Sequence, residues 1–135
     1  DALLPLVDCA VFSEPGLAGY ATQADDVEAQ LKFARSRGCA VAAVTRGERG
    51  VVWVDSTGTH RLPALQVDAV DTTGAGDVFH GAFAFALGAK APLREAFEFS
   101  SVVAALKCLH AGGREGVPDL GTALSSLQRF KESST

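Results

Sequence analysis

The sequence predicts an α/β fold with a largely parallel sheet flanked by helices. Two observations carry this. Short apolar runs bounded by turn residues occur at 6–12, 40–45 and 51–54, the length and composition of buried strands. Longer segments of helical period are interleaved with them and follow them. A third observation sets the scale: hydrophobic residues make up 47% and charged residues 21% of 135 positions, enough apolar material for a folded core.

Taken in order, residues 6–12 read as a first strand, followed by a turn signal in Glu14-Pro15-Gly16. Thr22 or Asp25 is the expected cap of a helix over about 24–37, with Val27, Leu31, Phe33 and Ala34 on its inner side and Gly38 at its C-terminal cap. Residues 40–45 form a second strand, 46–50 a tight loop, 51–54 a third strand and 55–58 a turn. Residues 59–62 and 65–70 are rich in strand formers, interrupted by Pro63.

From Val78 the period becomes helical. Val78, Phe79, Ala82, Phe83, Ala86 and Leu87 leave a helix apolar nearly all round, hence a buried one. Pro92 suits the first turn of a further helix reaching about His110, ended by Gly112 and Gly113. Asp119 or Thr122 caps a last helix to about Phe130, and the polar tail 131–135 is expected to fray. No repeat, low-complexity linker or domain boundary is visible.

Composition excludes several classes. No apolar run approaches the ~20 residues of a membrane helix. Net charge is −4 with Lys and Arg scattered, so no basic groove for nucleic acid is expected. Cys9, Cys39 and Cys108 are odd in number and widely spaced, which fits buried thiols in a reducing cytoplasm rather than disulfides or zinc. The chain contains no Met and opens Asp1-Ala2-Leu3-Leu4. The expectation is a C-terminal piece of something longer.

The chemistry-bearing segment is Asp71-Thr72-Thr73-Gly74-Ala75-Gly76-Asp77, leading into the apolar helix. Small residues at a helix start leave backbone N–H groups open, and the helix dipole adds positive potential. Gly74, Ala75, Gly76 and Asp77 therefore form a candidate anion hole for a phosphate. Asp77 lies beside it, able to accept a proton from an attacking hydroxyl, as phosphoryl transfer requires. The competing reading is an acid placed for the helix dipole alone. Two other phosphate loops do not match. The run from Gly76 to Gly81 is followed by Ala82, not the Walker lysine, and Gly74-x-Gly76 lacks the third glycine of a dinucleotide site. His60, His80 and His110 are isolated. Arg46, Arg49 and Arg114 fall in loops, where arginine suits phosphate but is commonly just solvated.

The run from Asp71 through Phe83 resembles the C-terminal signature of the ribokinase, or PfkB carbohydrate kinase, family. The resemblance implies a ribokinase-like Rossmann-type layered fold, of which this chain is the C-terminal part, and an ATP-dependent sugar kinase. In that family the Gly-Ala-Gly-Asp stretch is the anion hole and its Asp the catalytic base, a role that falls on Asp77. Residues 44–50 are similar to a loop near the nucleotide, implicating Thr45, Gly47 and Gly50. Ser101 stands where family members line the adenine pocket, and Gly113 in the loop that closes over it. Asp71 and Thr73 match positions that supply oxygens to a monovalent cation. One departure is visible: an expected Asn-x-x-Glu pattern reads Ser13-Glu14-Pro15-Gly16, which leaves the role of Glu14 open.

The implied cofactors are ATP and Mg²⁺, with K⁺ as a candidate, and the implied partner is a small sugar or sugar-like alcohol. A homodimer is a candidate assembly. The substrate is not named by the sequence. The alternatives are a nucleotide-binding fragment without activity of its own, or a nucleoside kinase of the same family.

Overall fold

A computed structural model describes residues 2–134. The chain divides into two compact units, the first ending at Pro63 and the second beginning at Ala64, although the sequence shows no linker there.

The first unit is built on four strands: β1 (Cys9–Ser13), β2 (Val41–Thr45), β3 (Val51–Asp55) and β4 (Gly58–Leu62), in the order β1-β2-β3-β4. Two helices, α1 (Glu14–Tyr20) and α2 (Val27–Ser36), make the crossover from β1 to β2. That crossover allows β1 and β2 to run parallel, with Cys9 opposite Val41 and Ser13 opposite Thr45. The next two connections are too short for a crossover, so β2–β3 and β3–β4 are antiparallel. The α/β class is as expected, and the sheet is open and mixed.

Alternate residues of the strands, Ala10, Ala42, Val44, Val52 and Val54, pack with Leu17, Leu31 and Ala34 from the helices. Ala43, Val51 and Trp53, on the opposite face, are also buried, which explains why β2 and β3 read as continuous apolar runs. Trp53 is stacked on His60, ring centroids 5.0 Å apart. His60 Nε2 lies 3.1 Å from Asp55 Oδ1.

Several boundaries differ from the sequence expectation. Glu14-Pro15-Gly16 opens α1 instead of making a turn. Ser13 caps the helix by accepting from the Gly16 amide at 3.2 Å, and proline is tolerated in a first turn because the missing N–H has no helical partner there. The α2 cap is Asp26, which accepts from the Ala29 amide at 2.9 Å, not Thr22 or Asp25. Gly38 has φ +127° and lies so close to Pro5 that a Cβ would stand 2.8 Å from the Pro5 Cα.

The second unit holds three helices: α3 (Ala75–Gly88), α4 (Leu93–Lys107) and α5 (Leu120–Ser133). Residues 65–70 form no strand; the Val70 amide instead donates to Cys108 O at 2.7 Å. Phe79 and Phe83 of α3 stack on Phe97 of α4, with Phe83 and Phe97 centroids 4.5 Å apart. Phe97 is fully buried, worth about 1.5–3 kcal/mol in transfer free energy. Only one side of α3 is buried: Phe79, Ala82, Phe83 and Ala86 are covered, while Phe85 is 55% exposed. The expectation of an all-round buried helix is corrected to that extent.

Helix α4 ends at Lys107 rather than His110, and α5 runs past Phe130 to Ser133. Lys131 is not in a frayed tail. Its ammonium lies 3.5 Å from both Glu95 and Glu98 of α4, which fastens the last turn of α5. Asp119 is the α5 cap, accepting from the Thr122 amide at 2.8 Å.

Candidate active site at the start of the third helix

Gly74 takes a left-handed conformation, φ +74° and ψ 6°, which glycine adopts without steric cost. That residue turns the chain into α3. The helical ladder begins with the Val78 amide on Gly74 O at 2.9 Å. The amides of Gly76 and Asp77 precede it and are among the donors a helix start leaves without internal partners. Asp77 is exposed, and its carboxylate makes no hydrogen bond or ion pair among the described residues. His80, one turn on, donates from Nδ1 to Gly76 O at 2.7 Å. That bond fixes the ring against the turn carrying Gly76.

Asp71 organises the approach to this helix. Its Oδ1 accepts from the Thr73 amide at 2.8 Å and its Oδ2 from the Gly112 amide at 2.9 Å. Its carbonyl accepts from Lys107 Nζ at 3.0 Å, and its own amide donates to Cys108 O at 3.1 Å. Hydrogen bonds from Thr73, then from Gly112, hold the carboxyl at about 2 against a usual 3.8, with the Lys107 charge acting in the same direction.

The unfolded chain binds a proton to this carboxyl below 3.8 while the folded form resists down to about 2. The stabilisation is complete above pH 3.8 and is lost as pH falls toward 2. Denaturant midpoints measured across that window should fall, and Asp71→Asn should flatten the fall; an unchanged slope in the variant would remove Asp71 as its source.

The loop after α4 folds over this segment. Gly112 has φ +89°, and the position a Gly74 Cβ would take is 3.8 Å from Gly113 O. Gly116 seats the loop on the end of α4, where a Cβ would stand 2.5 Å from Lys107 O and 2.9 Å from the His110 Cβ. Gly113 has open space around the same position. Gly116→Ala is therefore expected to cost about 1–3 kcal/mol by overpacking, with Gly113→Ala nearly neutral to folding. Equal denaturation midpoints for the two variants would contradict this seating.

The structure thus brings Asp71, Thr73, Gly74 and Gly113 together at the start of α3, with Ala75, Gly76 and Asp77 in its first turn. Ser101 lies on α4, 8% exposed, and its buried Oγ has no hydrogen-bond partner among the described residues. Lys107 is a residue the sequence reading passed over as a contributor here. It is fully buried, although in the sequence it is only a single charge closing the apolar run Val102-Val103-Ala104-Ala105-Leu106.

In the first unit, Thr45, Gly47 and Gly50 belong to the hairpin joining β2 to β3. Gly47 and Gly50 have φ +56° and +84°, and the Arg46 amide closes the loop on Gly50 O at 2.8 Å. Thr45 Oγ1 donates to Phe12 O at 3.3 Å. Glu14 is engaged with this loop: Arg49 donates to its Oε1, and Arg46 Nε lies 3.9 Å from its Oε2. Among the described residues no group of three or more His, Cys, Asp and Glu is placed to hold a metal ion. No helix of the described residues is long and apolar enough to cross a membrane.

Comparison with known proteins agrees with this architecture. The model of the pfkB family of carbohydrate kinases matches residues 1–120. Ribokinase of Lactococcus lactis is 34% identical over 88 residues, which is 65% of this chain and 29% of that protein. The crystal structure of ribokinase from Thermotoga maritima superposes with a TM-score of 0.87 at 28% identity, over 93% of this chain and 44% of its own. Aminoimidazole riboside kinase from Salmonella enterica, solved with aminoimidazole riboside and an ATP analogue, gives 0.81 at 26% identity, over 92% of this chain and 43% of its own. The chain spans less than half the length of each of these relatives. By its sequence match and its fold, the chain belongs to the pfkB family of carbohydrate kinases.

Proposed function

We propose that the chain carries the phosphoryl-transfer end of an ATP-dependent kinase acting on an alcohol group of a sugar or sugar-like compound. The observation that carries this reading is the first turn of α3. Gly76 has no positive φ, and a Cβ there would meet nothing within 4 Å. Neither backbone nor packing demands glycine at a helical position where it costs about 0.5–1 kcal/mol relative to alanine; Gly81 and Gly88 of α3 share this, but Gly76 alone of the three lies in the first turn, among amides without helical partners. Space for a ligand beside unused amides supplies the reason.

In the proposed reaction Asp77 accepts the substrate hydroxyl proton. A bond forms from that oxygen to the γ-phosphorus as the bond from phosphorus to the ADP oxygen breaks. The amides of Gly76 and Asp77, with Gly74 and Ala75 shaping the turn, hold the transferring group. Magnesium would be carried by the nucleotide's phosphates and would neutralise their charge. Thr45, Gly47, Gly50, Ser101 and Gly113 are the proposed nucleotide contacts. The unpartnered Ser101 hydroxyl favours its inclusion.

The chain's coverage of less than half of each relative favours a second reading, a nucleotide-binding fragment inactive by itself. Calorimetry with ATP and a coupled ADP-release assay over a panel of sugars and nucleosides separate the two. They should be run on this chain and on the longest natural protein that contains it. Turnover in the longer form alone supports both readings together; neither binding nor turnover in either form would defeat the kinase.

A further inference from the structure

A monovalent cation at Asp71 and Thr73 was the sequence expectation, and each oxygen of Asp71 already has a donor of this chain's own on it. A bound cation would need the Asp71 oxygens as ligands. Both carboxylate oxygens accept backbone amides, from Thr73 and Gly112, and the carbonyl accepts from Lys107 Nζ at 3.0 Å. The cation standing against that carbonyl is thus the ammonium group of Lys107.

Lys107 is placed there by more than its own flexibility. It is the last residue of α4 and has no exposure to solvent. Its backbone carbonyl accepts from the His110 amide at 3.2 Å and lies where a side chain on residue 116 would clash with it, so the turn after α4 holds the side chain's root. The next residue, Cys108, takes the amides of Val70 and Asp71 on its carbonyl. A buried ammonium without anionic or carbonyl partners is strongly unfavourable, and here the partner is the Asp71 carbonyl.

We propose that the Lys107 ammonium is a built-in replacement for the monovalent cation, tying the segment before α3 to the loop after α4 so that this chain needs no K⁺ to order its site. The ammonium supplies the same single positive charge, held on the Asp71 carbonyl and acting on the Asp71 carboxylate beside it. Being covalently attached, it is present at every salt composition. The role requires only the packing of residues 70–74 against residues 107–116, so it stands or falls separately from the kinase reading.

The test is thermal unfolding of the chain in KCl against choline chloride at equal ionic strength, with rubidium binding by equilibrium dialysis. The native chain should melt at the same temperature in both salts and bind no Rb⁺ at a saturable site. Lys107→Ala should lower the melting temperature in choline chloride by roughly 10 °C. K⁺ or NH₄⁺ should restore part of that loss saturably by entering the vacated position. Lys107→Met, which fills the volume without charge, should lose stability and show no rescue. Saturable Rb⁺ binding to the native chain, or K⁺-specific stabilisation of it, would overturn the proposal. A Lys107→Ala variant equally stable in both salts, with no response to K⁺ or NH₄⁺, would also overturn it. If that variant folds in neither salt, native Rb⁺ binding and the Lys107→Met variant decide.

Discussion

Asp77→Asn, made in the longest natural form of the protein, should lower turnover by roughly 10²–10⁴-fold while leaving nucleotide affinity nearly unchanged. The substitution keeps the shape of the side chain and the first turn of α3, and removes only the proton acceptor. Asp77 has no partner among the described residues, so no ion pair or hydrogen bond is broken with it. Circular dichroism and calorimetry with ATP establish that folding and binding persist; a coupled assay gives the rate. Turnover within a few-fold of the native value would return Asp77 to the bland reading, an acid set against the helix dipole. A parallel loss of nucleotide binding would mean that the residue positions phosphate rather than the hydroxyl.

Phe97→Ala should cost about 3–5 kcal/mol of stability, since it empties the space between α3 and α4. Phe97 is fully buried, stacked 4.5 Å from Phe83 and 6.5 Å from Phe79 by ring centroids. Those two phenylalanines form the inner face of the helix whose first turn carries Gly76 and Asp77. A domain stable by about 5–15 kcal/mol would lose between roughly a fifth and all of that margin. Urea unfolding measures it, and a shift worth less than about 1 kcal/mol would show that the aromatic stack does not hold the helix. Nucleotide binding should weaken with it, because a loosened α3 no longer presents its amides in fixed positions.

The legible part of the fold was its local part. The β2 and β3 runs were found because both faces of these strands are buried, which writes an unbroken apolar stretch into the sequence. The five residues from 46 to 50 were read as a tight loop, and a loop that short already implies an antiparallel pair. The first-turn proline of α1 was less legible. Ser-Glu-Pro-Gly serves equally as a turn and as a capped helix start, and the choice falls to Leu17, whose burial rewards the helix. Residues 65–70 carry strand formers, yet the Val70 amide meets the end of α4 first. The C-terminal end of α5 was set by Glu95 and Glu98, more than thirty positions away from Lys131.

For the proposed site, the sequence alone singled out the residues from Gly74 to Asp77 and their place at a helix start. Glycine, a short acid and an apolar helical period leave few other local structures. Only the tertiary structure decided what surrounds them. Lys107 and Gly112 lie 36 and 41 residues from Asp71 in the chain, and no local pattern records that their ammonium and amide meet its oxygens. A lysine at the end of an apolar helix reads as a solvated charge until the fold buries it. Once buried it must find oxygen, and the physical consequence is that an expected metal position becomes the end of a side chain.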